Sequence, residues 1–241
     1  MTISLKRLLK RITPNPVHRL YNRLISRWLI KQRYGKWFDP DWKQKATTAS
    51  TEDWLKLYDQ SWEEWQEPDL TGYDLQRIVE LVPGGSTVLD VGCGDGYLLS
   101  AISHRASEML GADISRTGLL IAEKRLAGAT GLVQADCEKL PFADSSVDVV
   151  VSAHTIEHVL NPRLAITEMI RVARKRIVVL VPIQEYLPYT EDYHLQFFIK
   201  EEYLLSLAEP LNCHIERYQE PTGESKYQGE VFLMNADLEK I

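Results

Sequence analysis

Cysteine is scarce in this 241-residue chain, which holds only Cys93, Cys137 and Cys213. Three is an odd number and no C-x-x-C spacing occurs, which argues against a disulfide framework and a structural zinc site. A reducing, cytoplasmic setting fits, and no metal site is expected. Long apolar runs are missing too: the most apolar stretch, Ile177 to Val181, is far short of the roughly 18 residues of a spanning helix. Nothing therefore reads as integral to a membrane. Lys and Arg interrupt the apolar residues of the N-terminus, against a secretory signal, whereas the lack of any acid before Asp39 leaves an organellar transit peptide open. Internal repeats and low-complexity tracts are absent.

Charge is present but unevenly placed. The net of -6 combines residues 1–45, with 12 Lys and Arg against Asp39 and Asp41 for a net of +10, and a remainder of 16 bases against 32 acids, or -16. An acidic body with a basic arm suggests an anionic partner for the arm, either a membrane surface or nucleic acid. Residues 2–12 and 17–34 read as two basic amphipathic helices separated by Pro14 and Pro16. In the second, Val17, Leu20, Tyr21, Leu24, Ile25, Trp28 and Leu29 form an apolar stripe, and Arg19, Arg23, Arg27 and Lys31 a basic one. Simple docking on the domain, peripheral membrane contact and nucleic-acid contact all suit such a helix.

Residues 46–66, with Trp54, Tyr58, Trp62 and Trp65 among acids, read as a helical cap or linker, so that a 46–70 segment separates the 1–45 arm from a 71–241 domain. From about Thr71, short β-branched runs alternate with helical stretches, the pattern of an α/β fold with a parallel sheet. Strands are expected at Thr87–Val91, Met109–Asp113, Leu132–Asp136, Val147–Ala153 and Ile177–Val181, with helices between them. Asn161 followed by Pro162 marks a helix start, and Leu164, Ile166, Met169, Ile170 and Ala173 form that helix's apolar face. Lys200–Ala208 reads as a further helix. Cys213–Tyr218 and Glu230–Met234 alternate as strands around the turn-rich Pro221-Thr222-Gly223, predicting an antiparallel hairpin that closes the sheet.

The chemistry-bearing segment is Asp90-Val91-Gly92-Cys93-Gly94-Asp95-Gly96, placed between an apolar strand and a helix beginning near Tyr97. Glycines let the backbone turn tightly and approach a ligand with no Cβ in the way, and the first amides of the helix face it. The spacing G-x-G-x-G departs from the G-x-G-x-x-G of dinucleotide sites. Alone, the loop is equally a tight strand-to-helix connection. Its meaning comes from the next two strand ends. Asp113, 17 residues past Gly96, is suited to accept from both ribose hydroxyls, and Asp136 at the third strand end is suited to accept from an adenine amino group. Each acid alone could be a helix cap, but three such features in order at successive strand ends point to an adenosine edge.

Together these segments resemble a class I S-adenosylmethionine (SAM)-dependent methyltransferase, of the small-molecule subgroup that includes ubiquinone and menaquinone biosynthesis enzymes. The resemblance runs from about Asp69 to Phe198. It rests on Val88 to Gly96, Gly111-Ala112-Asp113-Ile114-Ser115, Ala135 to Asp148, Ile156-Glu157-His158-Val159 and Glu168 to Val172. It implies a Rossmann-like seven-stranded sheet of order 3-2-1-4-5-7-6 with the last strand antiparallel, and SAM as cofactor. By the same resemblance, Gly92 and Gly94 lie under the methionine part, Asp90 supports its amino group, and Cys93 counts among the cofactor-binding residues. Asp113 holds the ribose, with Ile114 beside it also cofactor-binding, Asp136 with the Cys137 backbone holds the adenine, and Ala153 and His154 line the methyl side. The usual Lys-Pro-Gly-Gly before the fifth strand is replaced by Ala173-Arg174-Lys175-Arg176, read as a shorter turn.

Methyl transfer needs alignment above all, and a neutral hydroxyl or activated carbon also needs a base. His158, following Glu157 at the cofactor edge, is the first candidate. His194 is the second, in an aromatic segment, Tyr186–Phe198, that suits an apolar acceptor or core packing. A small-molecule or lipid-like acceptor is expected. The alternatives are an RNA-directed enzyme using the basic arm and a SAM-binding protein without catalysis. Against a base-amine methyltransferase, the fourth strand ends in Ser152-Ala153-His154-Thr155 rather than Asn/Asp-Pro-Pro-Tyr/Phe, and no Pro-Cys nucleophile is present. If the arm docks on membranes, deleting residues 1–45 abolishes flotation with anionic liposomes; unchanged flotation removes the arm from that role, and salt-sensitive retention of bulk tRNA assigns it to RNA instead.

Overall fold

The computed structural model describes Asp39 and residues 41–64, 70–128, 130–186, 193–219 and 229–238. The expected helices at 2–12 and 17–34, Trp65, Tyr189 and the Pro221-Thr222-Gly223 turn lie outside these residues. The chain divides into two compact units. The described residues of the smaller one are Asp39, 41–48, 186, Tyr193 and His194. It contains helix α1 (Trp42–Lys45) and a 3-10 turn, Ala46–Thr48; Lys45 pairs with Asp39 at 2.6 Å, and the Asp39 amide donates to the Tyr193 hydroxyl at 3.0 Å.

The larger unit opens with α2 (Thr51–Glu64), which lies within the 46–66 segment read as a helical cap or linker and starts a few residues into it. The start is set by a capping box at Ser50. Its hydroxyl accepts from the Asp53 amide at 3.2 Å and the Asp53 carboxylate accepts from the Ser50 amide at 2.9 Å, which starts a new helix. Next come α3 (Gly72–Leu81), β1 (Ser86–Val91), α4 (Tyr97–Ile102), β2 (Ala106–Asp113), α5 (Arg116–Arg125), β3 (Gly131–Gln134) and β4 (Val147–Ala153). A 3-10 turn, Ile156–His158, precedes α6 (Pro162–Val172), β5 (Ala173–Pro182), α7 (Glu201–Ala208), β6 (His214–Gln219) and β7 (Glu230–Asp237).

The seven strands form one sheet in the order β3-β2-β1-β4-β5-β7-β6, parallel except that β7 runs antiparallel to both β5 and β6. This is the expected Rossmann-like architecture. β-branched residues dominate the central strands because both faces of the sheet are covered. Alternation sends Leu89, Val150, Ile177 and Val179 to one face, where they meet Ile166 and Met169 of α6 and Leu204 of α7. Val88, Val149, Val178 and Leu180 go to the other, against Ile78 of α3 and Leu98 and Ile102 of α4. Phe198, one of the aromatics considered for the acceptor side, is fully buried in the first of these clusters.

Two expectations need correction. Ala173 to Arg176 is not a turn: β5 begins at Ala173 as α6 ends, and Ala173 already pairs with Val147. The charged side chains have acceptors on neighbouring elements, Arg174 and Lys175 on Asp148 at 2.6 and 3.0 Å, and Arg176 on Asp237 and the Leu81 carbonyl. The third strand stops at Gln134, two residues early, because the Asp136 carboxylate accepts from the Glu138 amide at 2.9 Å and turns the chain away. The start read from Asn161-Pro162 matches α6, whose Leu164 amide donates to the Asn161 side chain at 3.1 Å.

A buried cap fixes α3 to the sheet edge. The Thr71 hydroxyl accepts from the Asp74 amide at 3.1 Å and donates to its carboxylate at 2.6 Å, while the Tyr218 hydroxyl of β6 donates to the other oxygen at 2.8 Å. Thr71→Ala is expected to cost about 1–2 kcal/mol in urea denaturation, whereas removal of an exposed pair such as Arg217–Glu230 should cost under about 0.5 kcal/mol.

Candidate active site

Between β1 and β4 the winding of the sheet reverses direction, which leaves a crevice at the carboxyl ends of these strands. The glycine loop fills its floor. Gly92, Gly94 and Gly96 have φ of 78°, 48° and 76°, a region costly to any residue with a Cβ. Space compounds the requirement at two of them. A Cβ on Gly92 would stand 2.1 Å from the Thr155 hydroxyl oxygen, and one on Gly94 would stand 2.2 Å from the Trp62 ring.

The carboxylates gathered here define the electrostatics. Asp90, at 2% exposure, is pushed up to about 8 by burial, with the charges of Asp113 and Asp95 adding to the effect. Asp113 is raised to about 6 by burial, partly offset by amides that donate to it: Gly94 to one oxygen at 2.8 Å and Ser115 to the other at 2.7 Å. Asp95 is held by Arg125, whose guanidinium also donates to the Asp95 carbonyl at 2.9 Å and stacks over Tyr97. Apart from Arg125, which is paired with Asp95, the charged groups gathered at the glycine loop are acids, which offer a pyrophosphate no counter-charge. The same arrangement suits a nucleoside that carries positive charge.

The other expected residues fall as follows. The Cys93 side chain turns into an apolar cluster with Leu99, Leu119 and Ala122, and its amide donates to the Ala112 carbonyl at 3.1 Å, so its part in any ligand contact is limited to the backbone shape of the loop. Ile114 is half-buried beside Asp113, and its carbonyl accepts from the Gln134 amide group at 2.9 Å. Asp136 is exposed at the end of β3, and Cys137 next to it packs against the main core with its thiol pushed up by burial. Ala153 ends β4. His154 follows with φ of 50°, and its Nδ1 lies 3.3 Å from the carboxylate of the fully buried Glu157. Strain at a non-glycine residue beside a crevice is a mark of functional sites. His158 is half-buried on the 3-10 turn, its ring meeting the Tyr58 ring edge-on at 6.1 Å. His194 is buried and belongs to the smaller unit.

Three residues at this crevice escape sequence reading. Thr155 packs on Gly92, Trp62 covers Gly94, and Asp59 accepts from the Ser115 hydroxyl at 2.7 Å and the Thr117 amide at 2.9 Å. The available signal was the spacing of Trp54, Tyr58 and Trp62, four residues apart on one face of α2.

Comparison with known proteins agrees with this geometry. Residues 89–181 match the methyltransferase domain family. An uncharacterised methyltransferase of Mycobacterium sp. (strain JLS) is 40% identical over 99 residues, 41% of this chain and 39% of that protein. The chain thus spans about two-fifths of the length of the curated relatives it matches. Among solved structures, a SAM-dependent methyltransferase from Aquifex aeolicus superposes with a TM-score of 0.54 at 19% identity over 79% of this chain and 99% of that one. The [4+2]-cyclase SpnF shares the fold equally well, with a TM-score of 0.55 at 18% identity over 72% of this chain and 84% of that one. The residues that match the family, 89–181, run from within β1 to β5, and the sheet to which they belong has the fold of these solved structures.

Asp90 makes a prediction that needs no ligand. Its folded-state carboxyl is raised to about 8 from an ordinary 3.8. Between these values the folded protein holds a proton that the unfolded chain has released, so stability falls as pH rises through this window. Asp90→Asn removes that slope. In urea denaturation the variant should match the parent near pH 4 and exceed it increasingly toward pH 8, by ~1–4 kcal/mol.

Proposed function

We propose that this chain is a SAM-dependent methyltransferase acting on a small-molecule or lipid-like acceptor. The observation that carries the reading is the acidic glycine cradle: a buried Asp90 whose carboxyl receives no donor among the described residues, and Asp113 tied to the loop amide of Gly94. An α-ammonium group beside Asp90 would provide the counter-charge that its site lacks. Asp113 keeps acceptor capacity on both oxygens for ribose hydroxyls, and the exposed Asp136 keeps it for an adenine amino group. The backbone shape at Gly92 and Gly94 lets the ligand lie against the loop.

When bound, SAM supplies a methyl group already activated on a sulfonium. The protein's task is then to hold an acceptor in line with that methyl and to exclude water, which together can contribute on the order of 7–11 kcal/mol. His158 is the proposed base for an acceptor that must lose a proton; His194 is second. Strained His154 and Ala153 would line the methyl side. No helix among the described residues is long and apolar enough to cross a membrane. The basic arm is the proposed contact with a membrane surface that presents a lipid-like acceptor.

S-adenosylhomocysteine (SAH), the demethylated product, carries the same ammonium and ribose. Calorimetry should detect its binding to the parent protein, and Asp113→Ala and Asp90→Asn should each weaken it at least about tenfold, or about 1.4 kcal/mol. Labelled SAM incubated with cell extract should then deliver label to the lipid or small-molecule fraction. Label in RNA instead would overturn the acceptor class, and absence of SAH binding would overturn the cofactor.

A further inference from the structure

Helix α2 lies before the segment matched to the methyltransferase domain, yet it is fastened to the residues that make up the cofactor cradle. Two attachments, of different chemistry, lie three residues apart on one face of the helix. The first is polar. One carboxylate oxygen of Asp59 accepts from both the Ser115 hydroxyl at 2.7 Å and the Thr117 amide at 2.9 Å, at the N-terminus of α5, where a negative charge is favoured. Ser115 is itself bonded onward: its amide donates to Asp113 at 2.7 Å, and the other oxygen of Asp113 accepts from Gly94 at 2.8 Å. The second attachment is apolar. The Trp62 ring sits where a Cβ of Gly94 would be, 2.2 Å from that position, and 3.1 Å from the corresponding position on Gly118.

Gly94 therefore serves two neighbours. Its amide is held by Asp113, and its bare Cα face is covered by Trp62, so the loop and the ribose-side acid are fixed from the same helix. The charge on Asp59 also acts on Asp113 directly, as one of the effects that raise its carboxyl. On the same face, one turn back, Tyr58 meets His158.

We propose that Asp59 and Trp62 are cofactor-positioning residues, and that α2 is a clasp whose docking on Ser115, Thr117, Gly94 and Gly118 sets how long an adenosyl ligand stays bound. The inference rests on the cofactor reading above and goes beyond it by naming what controls residence. With α2 docked, the Gly94–Asp113–Ser115 chain is held in one arrangement. With the clasp broken, the same donors and acceptors remain but are no longer fixed, and ligand escape is faster.

The test is SAH dissociation from the immobilised full chain by surface plasmon resonance, with amide hydrogen exchange over residues 51–64 as a second readout. Asp59→Ala and Trp62→Ala are expected to raise the dissociation rate at least tenfold. Asp59→Asn keeps an oxygen that can accept from Ser115 and Thr117, and Trp62→Phe keeps a ring on Gly94, so both should stay within about threefold of the parent. SAH should slow exchange in α2 of the parent and not in Asp59→Ala. These paired variants keep the proposal testable even if an alanine variant folds poorly, since loss of fold would not leave the conservative variants with parental release. Dissociation rates within twofold of the parent in both alanine variants, or α2 exchange that ignores SAH, would overturn the clasp while leaving the cofactor assignment intact. No SAH binding by the parent would overturn the cofactor assignment and the clasp with it.

Discussion

A carboxyl group at the end of a central, fully covered strand is an expensive thing to bury, and the site is organised around that cost. Asp90 sits between two apolar layers, in the company of Asp95 and Asp113, and responds by holding its proton to about pH 8. Ordinary side chains there would pack more favourably. The cost is contained because the neighbouring acids are handled differently: Asp95 by the guanidinium of Arg125, Asp113 by two backbone amides. Of these three acids, Asp90 alone has neither a cation nor an amide on its carboxyl among the described residues, and on the proposed function that is the position an ammonium group of the ligand would fill.

The surrounding architecture follows from making that crevice. Parallel pairing of β1 with both β2 and β4 sends the chain to opposite sides from one edge, so the carboxyl ends of β1, β2 and β4 share one rim. Helices on both faces cover the sheet, and the antiparallel β7 between β5 and β6 completes it on the far side. Left-handed glycines then let the chain leave β1 and enter α4 without blocking the rim. Packing against α5 also constrains the loop from behind, since a Cβ on Gly96 would stand 3.1 Å from that of Ala122.

Much of this was legible in the sequence because it is local. Apolar β-branched runs ending in Asp90, Asp113 and Val147 to Ala153 announce buried strands, and Asn161-Pro162 announces a helix start. One misreading came where distant groups decide the outcome, the other where a side chain acts on its own backbone. Four residues with three cations looked like a turn, yet Asp148 and Asp237, far away in sequence, receive their charges and allow β5 to begin at Ala173. Asp136 was read as the end of a strand, whereas its own side chain turns the backbone two residues sooner. The four-residue spacing of Trp54, Tyr58 and Trp62 is visible in the sequence, but nothing local says that this face meets Gly94, 32 residues further on.

That last case bears on how substrate choice is divided in this fold. Superposition with a SAM-dependent methyltransferase and with a [4+2]-cyclase is equally close, so the sheet and its rim do not specify the reaction. What differs among such proteins must lie in elements added to the rim. Here the face of α2 carrying Trp54, Tyr58, Asp59 and Trp62 reaches from the glycine loop to His158, touching the proposed cofactor side through Trp62 and the proposed acceptor side through Tyr58. A single rigid helix that contacts both sides makes their positions interdependent: a shift that improves packing on one is felt at the other. On the proposed function, acceptor specificity is therefore to be sought in the helix before the matched segment as much as within that segment.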